Sequence, residues 1–135
     1  AGSTADGIAT TAAEVASWGG VPESRVGVFG YRLPAPSAAL LNSAQIHGLD
    51  FDDTHDVAGV HANVSVIPAA LVVAEKIGGV DGRQLITAIT LGVELCCRLG
   101  LSHRYYQGWH MSTLAGSGMV GQFLSEKPLS SAAVL

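Results

Sequence analysis

The sequence has few charged residues and no cluster of positive charge. Of its 135 residues only 13% are Asp, Glu, Lys or Arg, and the formal net charge is −4. The seven Lys and Arg residues are never adjacent, so there is no basic stripe to follow a phosphate backbone. We therefore expect no nucleic-acid partner. The 48% of hydrophobic residues excludes a disordered chain and predicts a globular one.

Cysteine is scarce as well, which excludes a disulfide framework. The two cysteines, Cys96 and Cys97, are neighbours within an apolar helical pattern. A bridge between adjacent residues would be strained, and their spacing fits no metal site. We interpret them as reduced, buried thiols.

A secretory leader and a long membrane-spanning run are also lacking. Residues 1–16 have no basic start followed by a continuous apolar stretch, and the longest apolar run is shorter than a bilayer requires. We expect a cytoplasmic protein with no membrane partner. The chain begins without methionine and ends at Leu135 without an obvious closing element, so we also expect a fragment of a longer protein.

Apolar residues recur at helical spacing in four segments, with glycine or proline between them. The predicted helices are residues 4–18, 37–49, 67–77 and 82–101. Residues 21–33 are interrupted by glycine and predict a loop with one short extended piece. The predicted fold class is all-α, a packed array of helices with the polar residues on the loops between them.

The last of these helices has the clearest pattern. Its predicted core stripe consists of Leu85, Ile86, Ile89, Val93 and Cys96 or Cys97. Asp81 is expected to cap its amino end. Glu94 and Arg98 are four residues apart and are expected to form an ion pair on its surface.

Residues able to carry chemistry are concentrated between positions 47 and 61. This stretch contains three histidines and four aspartates: His47, Asp50, Asp52, Asp53, His55, Asp56 and His61. Taken singly, an aspartate such as Asp53 or Asp56 is explained as a helix cap or a turn residue. Together, such groups perturb one another's pKa and cost stability unless a ligand uses them, which favours a functional site.

Two kinds of chemistry fit this stretch. The imidazole and carboxylate groups suit zinc, iron or manganese, but their spacing matches no metal-binding motif. The other interpretation is metal-free acid–base catalysis, in which a histidine moves a proton next to a substrate carboxylate. We favour the second and expect no metal and no organic cofactor. A metal-dependent hydrolase and an inactive structural fragment remain as alternatives.

An ordered series of motifs resembles the MmgE/PrpD family. It includes HGLDFDDT at 47–54, His61, PAAL at 68–71, GVE at 92–94 and GWH at 108–110. Members of that family include 2-methylcitrate dehydratase, cis-aconitate decarboxylase and iminodisuccinate epimerase. The resemblance extends over residues 1–121, which we interpret as a partial helical domain, whereas residues 122–135 form a tail that does not match.

The resemblance implies a fold, a site and an assembly. The fold would be the large helical domain of the family, without the smaller α/β lid domain, and full-length members pack as homodimers. The positions that correspond to the family's active site are Asp50, Thr54, His61 and His110. We take Asp50, His61 and His110 as catalytic candidates, and Thr54, Asp53 and His55 as substrate-binding candidates.

The resemblance also implies an activity. We expect an enzyme, when full length, that acts as a dehydratase-type lyase on a small di- or tricarboxylate such as 2-methylcitrate. Ala62 follows His61 where the family often has proline, which leaves room for an epimerase or an uncharacterised relative. A decarboxylase of the same family is a further alternative. No Lys or Arg lies between Arg32 and Lys76, so this chain is expected to carry only half of a carboxylate-binding site.

Overall fold

A computed structural model describes residues 1–102, and within them the chain is mainly helical. A 3₁₀ turn at Gly2–Thr4 precedes the regular elements, which are α1 (Ile8–Ser17), β1 (Ser24–Arg25), β2 (Arg32–Leu33), α2 (Ala35–His47), α3 (Ala62–Ile77) and α4 (Gly82–Ser102). The two strands form one small sheet. The predicted all-α fold class is therefore confirmed, and the predicted helices correspond to α1, α2, α3 and α4.

Helix α3 lies at the centre of the fold and packs against α2 on one side and α4 on the other. Its sequence is apolar nearly all round, as expected for a helix with neighbours on several faces. Val72 joins the core formed with α1, α2 and the strands, while Val66 and Ala70 contact Ala88 of α4. Helix α3, which follows the polar residues 47–61, is therefore held in place by packing on two faces.

The start of α3 differs from the prediction because Pro68 lies inside the helix. Proline removes a backbone donor and usually ends or kinks a helix, so the sequence favoured a start at residue 67. The helix instead begins at Ala62. Ala62 and Val66 are both almost completely buried, and their packing offsets the lost hydrogen bond.

The segment between α1 and α2 is a small hairpin, where the sequence predicted one extended piece. Ser24 pairs with Leu33 and Arg25 with Arg32 in antiparallel register. The hairpin is tied to the helices by side chains: Ser24 Oγ donates to the carbonyl oxygen of Val72 at 2.6 Å. Asn42 of α2 accepts from the Gly27 amide at 2.8 Å and donates to the Arg25 carbonyl at 3.1 Å.

Helix α4 buries small residues, and this corrects the predicted core stripe. The fully buried positions occur every fourth residue, at Ala88, Gly92, Cys96 and Gly100. Leu85, Ile89 and Val93 are only partly buried, and Ile86 is 66% exposed. The reason is close approach, since a Cβ atom added to Gly100 would lie 2.9 Å from the side chain of Ala58. A residue larger than glycine does not fit at position 100.

The ends and surface of α4 agree with the sequence analysis. Asp81 Oδ1 accepts a hydrogen bond from the Gln84 amide at 2.8 Å, and Gln84 Oε1 accepts one from the Asp81 amide at 3.0 Å. Arg98 Nε donates to Glu94 Oε1 at 2.7 Å. Both cysteines are free thiols, with Cys96 buried and Cys97 half-buried.

By length and composition alone, α4 is long and apolar enough to cross a membrane. No membrane-spanning run was expected from the sequence, and length and composition alone do not overturn that expectation. The core helix of a soluble protein satisfies the same test. Here one face of α4 packs against α3, and 22% of its most apolar window is buried within residues 1–102.

Candidate functional site

The polar stretch, residues 47–61, connects α2 to α3, which pack against each other. His47 is the last residue of α2, and His61 immediately precedes α3. Because α2 and α3 lie against each other, the two ends of the loop that joins them lie close together. The two imidazole rings consequently meet edge to face, with their centroids 5.1 Å apart.

Asp52 lies between these two histidines. Its Oδ1 atom is 3.0 Å from Nδ1 of His47, and its Oδ2 atom is 3.0 Å from Nδ1 of His61. The Asp52 side chain is only 2% exposed, whereas that of His47 is 52% exposed. One buried carboxylate therefore faces the Nδ1 atom of both rings, and the Nε2 atoms lie on the opposite side of each ring.

The charge of Asp52 is favoured by its neighbours. Burial disfavours the ionised carboxylate, but the hydrogen bond from His47, the backbone amide of Asp52 itself and the charges of the two imidazoles outweigh it. The pKa of Asp52 consequently lies below its usual value. The carboxylate is therefore anionic near neutral pH and accepts from a ring N–H, which fixes the tautomer of that ring.

The two carboxylate oxygens of Asp52 differ in their hydrogen bonding. Oδ1 accepts a hydrogen bond from His47. Oδ2 is shielded from solvent and receives no hydrogen bond from the described residues, although it lies 3.0 Å from His61 Nδ1. The contact with His61 is therefore a close electrostatic one without hydrogen-bond alignment. A buried carboxylate oxygen without a donor is uncommon and points to a functional use.

Asp50 reaches the same cluster through a turn. The predicted helix over residues 37–49 is shorter at its carboxyl end than expected. Helix α2 ends at His47, and Asp50 has a left-handed backbone with φ of 56°. The Asp50 amide donates to the His47 carbonyl at 2.9 Å, and this turn brings Asp50 Oδ1 to 3.8 Å from His47 Nδ1.

The other predicted site residues divide into two groups. Thr54 Oγ1 lies 3.5 Å from His61 Nδ1, so Thr54 joins Asp50 and His61 in the cluster. Asp53 instead accepts from the Asn63 amide at 3.2 Å in the first turn of α3. His55 Nδ1 accepts from the Ala58 amide at 3.1 Å within its own turn. His110 lies outside the described residues.

Two members of the cluster, His47 and Asp52, were not among the predicted site residues. Both belong to the stretch that the sequence singled out, but no local signal separates Asp52 from the aspartates beside it. The only usable signal was the position of His47 at the end of a predicted helix. The burial of Asp52 depends on how the loop folds back, and this follows from the packing of α2 on α3.

An open cleft of about 400 Å³ runs between α2 and α3, with His47 on its wall. Its lining is mostly apolar, as at Leu40 and Val64, with the hydroxyls of Ser43 and Ser65 as polar groups. None of the lining residues within 1–102 is Lys or Arg. A larger cleft of about 490 Å³ is lined by Arg25 and Glu75 and does not include His47 or His61. The smaller cleft gives a ligand access to His47.

Comparison with known proteins gives a family and a set of curated relatives. The sequence profile described as the MmgE/PrpD N-terminal domain matches residues 1–125. A cis-aconitate decarboxylase of Aspergillus terreus is 33% identical over 101 residues, which is 69% of this chain and 21% of that protein. The human cis-aconitate decarboxylase is 31% identical over 107 residues, again 69% of this chain and 21% of the relative.

A third relative is a cis-aconitate decarboxylase-like protein of Aspergillus oryzae. It is 31% identical over 109 residues, covering 71% of this chain and 22% of the relative. The chain therefore spans about a fifth of the length of the curated relatives it matches. No solved structure matches the chain.

Proposed function

The chain belongs to the MmgE/PrpD family, and from that membership we propose that it supplies acid–base residues of a lyase acting on a small di- or tricarboxylate. The curated relatives are named cis-aconitate decarboxylases, which favours decarboxylation over the dehydration expected first from the sequence. We propose cis-aconitate as the first substrate to test. The observation that carries the proposal is the buried carboxylate of Asp52 between His47 and His61.

The geometry supports proton transfer by the imidazoles. An anionic Asp52 accepts from an Nδ1–H group, and in a neutral ring this leaves the lone pair on Nε2. A ring held in this way is oriented and ready to take a proton at Nε2, or to return one once it is protonated. Asp52 is thus a positioning residue, and His47 and His61 are the groups that meet the substrate.

The chemistry of decarboxylation requires one proton to be delivered to carbon. In cis-aconitate the bond to the departing CO₂ breaks, and its electrons form a new carbon–carbon double bond. The electrons of the old double bond take a proton from an imidazolium Nε2. Dehydration and epimerisation share proton transfer next to a carboxylate, so the same residues suit those outcomes too. His110 remains a candidate for a further acid–base group.

Binding a polycarboxylate needs cations that the cluster lacks. Four basic residues of the described part form ion pairs with glutamates: Arg25 and Arg32 with Glu75, Lys76 with Glu23, and Arg98 with Glu94. Because the chain spans about a fifth of its curated relatives, we propose that other parts of the full-length protein supply the carboxylate-binding cations.

The assembly and location belong to the same proposal. We propose that the full-length protein is a cytoplasmic homodimer that uses no cofactor. Exposed apolar side chains on α4, such as Ile86 and Leu101, give the described part a surface suited to further packing. Light scattering should report twice the mass of one chain, and a monomeric mass across micromolar concentrations would contradict the homodimer.

The function is tested with the purified full-length protein and a panel of substrates. Cis-aconitate, 2-methylcitrate and an epimerisable dicarboxylate are each followed by proton NMR, with CO₂ release measured separately. We expect turnover of cis-aconitate that survives prolonged treatment with a chelator. Turnover abolished by the chelator and restored by metal would favour the metal-dependent hydrolase alternative. No turnover of any polycarboxylate would contradict the proposal.

A further inference from the structure

We propose that His47, Asp50, Asp52 and His61 form a binding site for one Zn²⁺ ion. One potential ligand atom from each residue lies within 4.8 Å of those from all the others. Two imidazole nitrogens and two carboxylate oxygens are a donor set that suits zinc. This inference goes beyond the proposed function, because acid–base catalysis by these histidines needs no metal.

The distances fit a tetrahedral ion. Zinc bonds of about 2.0–2.1 Å place neighbouring ligand atoms about 3.4 Å apart. In the structure, His47 Nδ1 lies 3.0 Å from Asp52 Oδ1 and 3.8 Å from Asp50 Oδ1. His61 Nδ1 lies 3.0 Å from Asp52 Oδ2. The ligand atoms lie within 4.8 Å of one another, so some must move closer together, and the side chain of Asp50, 77% exposed, has room to do so.

A second observation points to a cation at this place. Asp52 Oδ2 is buried and receives no hydrogen bond from residues 1–102, and its close polar neighbour there is His61 Nδ1 at 3.0 Å. Burying a carboxylate oxygen without a hydrogen-bond donor is unfavourable. A divalent ion beside Asp52 would compensate both carboxylates of the cluster at once. Oδ2 also faces His61 at a distance close to that between two ligands of one metal ion.

Zinc at this site would oppose the proposed acid–base role, and this consequence rests on the proposed function. Zinc bound through Nδ1 of His47 or His61 uses the lone pair at that nitrogen, so the proton of the neutral ring lies on Nε2. A ring in that form does not accept a proton at Nε2. We therefore expect zinc to act as an inhibitor of proton transfer, and not as its cofactor.

The test is a titration of Zn²⁺ into the purified full-length protein, monitored by calorimetry and by competition with a chromophoric chelator. We expect one equivalent to bind in competition with the chelator. Asp50→Asn should weaken binding about 10-fold or more, because Asp50 is exposed and its replacement leaves the buried contacts in place. Asp56→Asn, in the same loop but outside the cluster, should bind like wild type.

Three further variants test whether His47 and His61 are zinc ligands. His47→Asn and His61→Asn should each weaken zinc binding, whereas His55→Asn should not, because His55 is outside the cluster. Circular dichroism confirms that each variant is folded. Cobalt substituted for zinc should give the visible absorption of a tetrahedral site in wild type and lose it in Asp50→Asn.

Failure to bind zinc, or equal binding by wild type, Asp50→Asn and His47→Asn, would overturn the site. These results are independent of turnover. A protein that binds zinc through these residues but turns over no polycarboxylate would contradict the proposed function alone. A protein that turns over cis-aconitate and does not bind zinc would contradict the metal site alone.

Discussion

The rings of His47 and His61 meet edge to face, with their centroids 5.1 Å apart, although one residue ends α2 and the other precedes α3. Their position follows from the packing of these two helices, which brings together both ends of the loop that joins them. Asp52 fills the space between their Nδ1 atoms. The candidate site therefore depends on the α2–α3 interface as much as on its own residues.

His61→Asn should separate the catalytic from the structural role of His61. The asparagine amide occupies the position of Nδ1 beside Asp52, but it has no group equivalent to Nε2. We expect kcat for the best substrate to fall by about 10²–10⁴-fold, because general acid–base catalysis contributes that much. Thermal unfolding should change little. His55→Asn is the matched control, since Asn can accept from the Ala58 amide as His55 Nδ1 does.

If His61→Asn retains wild-type kcat, His61 is not an acid–base group. The same pair of measurements on His47→Asn identifies which ring transfers the proton in the rate-limiting step. Equal and large losses in both single variants, with no further loss in the double variant, would show that the two rings act as one unit.

Asp52→Asn should destabilise the fold, whereas Asp56→Asn should not. Asp52 is buried and accepts from His47, so its replacement leaves a ring N–H without a charged acceptor. We expect a loss of about 1–3 kcal/mol in the free energy of unfolding, measured with urea. Asp56 is exposed, and its variant should lie within about 0.5 kcal/mol of wild type.

A spectroscopic measurement checks the positioning role of Asp52. Long-range nitrogen–proton NMR spectra distinguish the two neutral tautomers of each histidine. We expect the Nδ1–H form for His47 in wild type and a mixture in Asp52→Asn. The same tautomer in both proteins would show that Asp52 does not orient this ring.

The contrast between Phe51 and Asp52 shows where the sequence stops being informative. Phe51 is 86% exposed, whereas the Asp52 side chain beside it is 2% exposed. Hydropathy predicts the opposite, because burying an aromatic ring is favourable and burying a carboxylate is costly. The burial of Asp52 in place of Phe51 requires two histidines at the ends of different helices. The sequence alone does not show that these two residues are neighbours in space.

Features that depend on local sequence were predictable. The cap at Asp81 and the pair of Glu94 and Arg98 follow from spacing along one helix, and both are present. The concentration of functional groups between residues 47 and 61 was equally visible. The exposure of Ile86 was not, because it depends on how closely α4 approaches the rest of the fold.

Gly100→Ala should disturb the site from a distance. A Cβ atom at Gly100 would lie 2.9 Å from the side chain and the carbonyl oxygen of Ala58, and 2.9 Å from Val60. These residues belong to the turn that leads into His61, so the turn must shift. We expect a loss of about 1–3 kcal/mol in unfolding free energy, together with reduced kcat.

Gly82→Ala is the control for that substitution. Gly82 is also in α4, but a Cβ atom there would meet nothing within 4 Å. Its replacement should leave stability unchanged or raise it by about 0.4–1 kcal/mol, because alanine restricts the unfolded chain. Equal effects of the two substitutions would contradict the close packing of α4 against the turn.

Glu23→Gln should reduce the dependence of stability on acid. A hydrogen bond from the Ala35 amide and the Lys76 ammonium hold the pKa of Glu23 below its usual value. A carboxylate with a lowered pKa in the folded state contributes stability above its unfolded pKa of about 4.3, and loses it as pH falls through the folded value. Urea unfolding from pH 6 to pH 2 should therefore show a smaller decline in the variant.

Glu14→Gln provides the comparison, because Glu14 bonds within its own helical end: its carboxylate accepts from the Trp18 indole N–H and its backbone carbonyl accepts from Ser17 Oγ. Its acid decline should resemble that of wild type. If Glu23→Gln follows the wild-type curve at every pH, the Glu23 contacts with α2 and α3 do not contribute to stability.

The two cysteines should react slowly with thiol reagents in the folded protein. Burial raises the pKa of both thiols above the usual value, and nearby Cys97 and Asp53 act in the same direction on Cys96, as Glu94 and Asp53 do on Cys97. The thiolate is the reactive form, so at pH 8 the labelling of Cys96 and Cys97 by iodoacetamide should be much slower than in urea.

Asp53→Asn removes one negative charge but keeps an oxygen to accept from the Asn63 amide, and should therefore label faster than wild type. Mass spectrometry of the peptide that contains both residues measures the rates. Labelling of the native protein as fast as that of the unfolded one would contradict the buried, protonated state of these thiols.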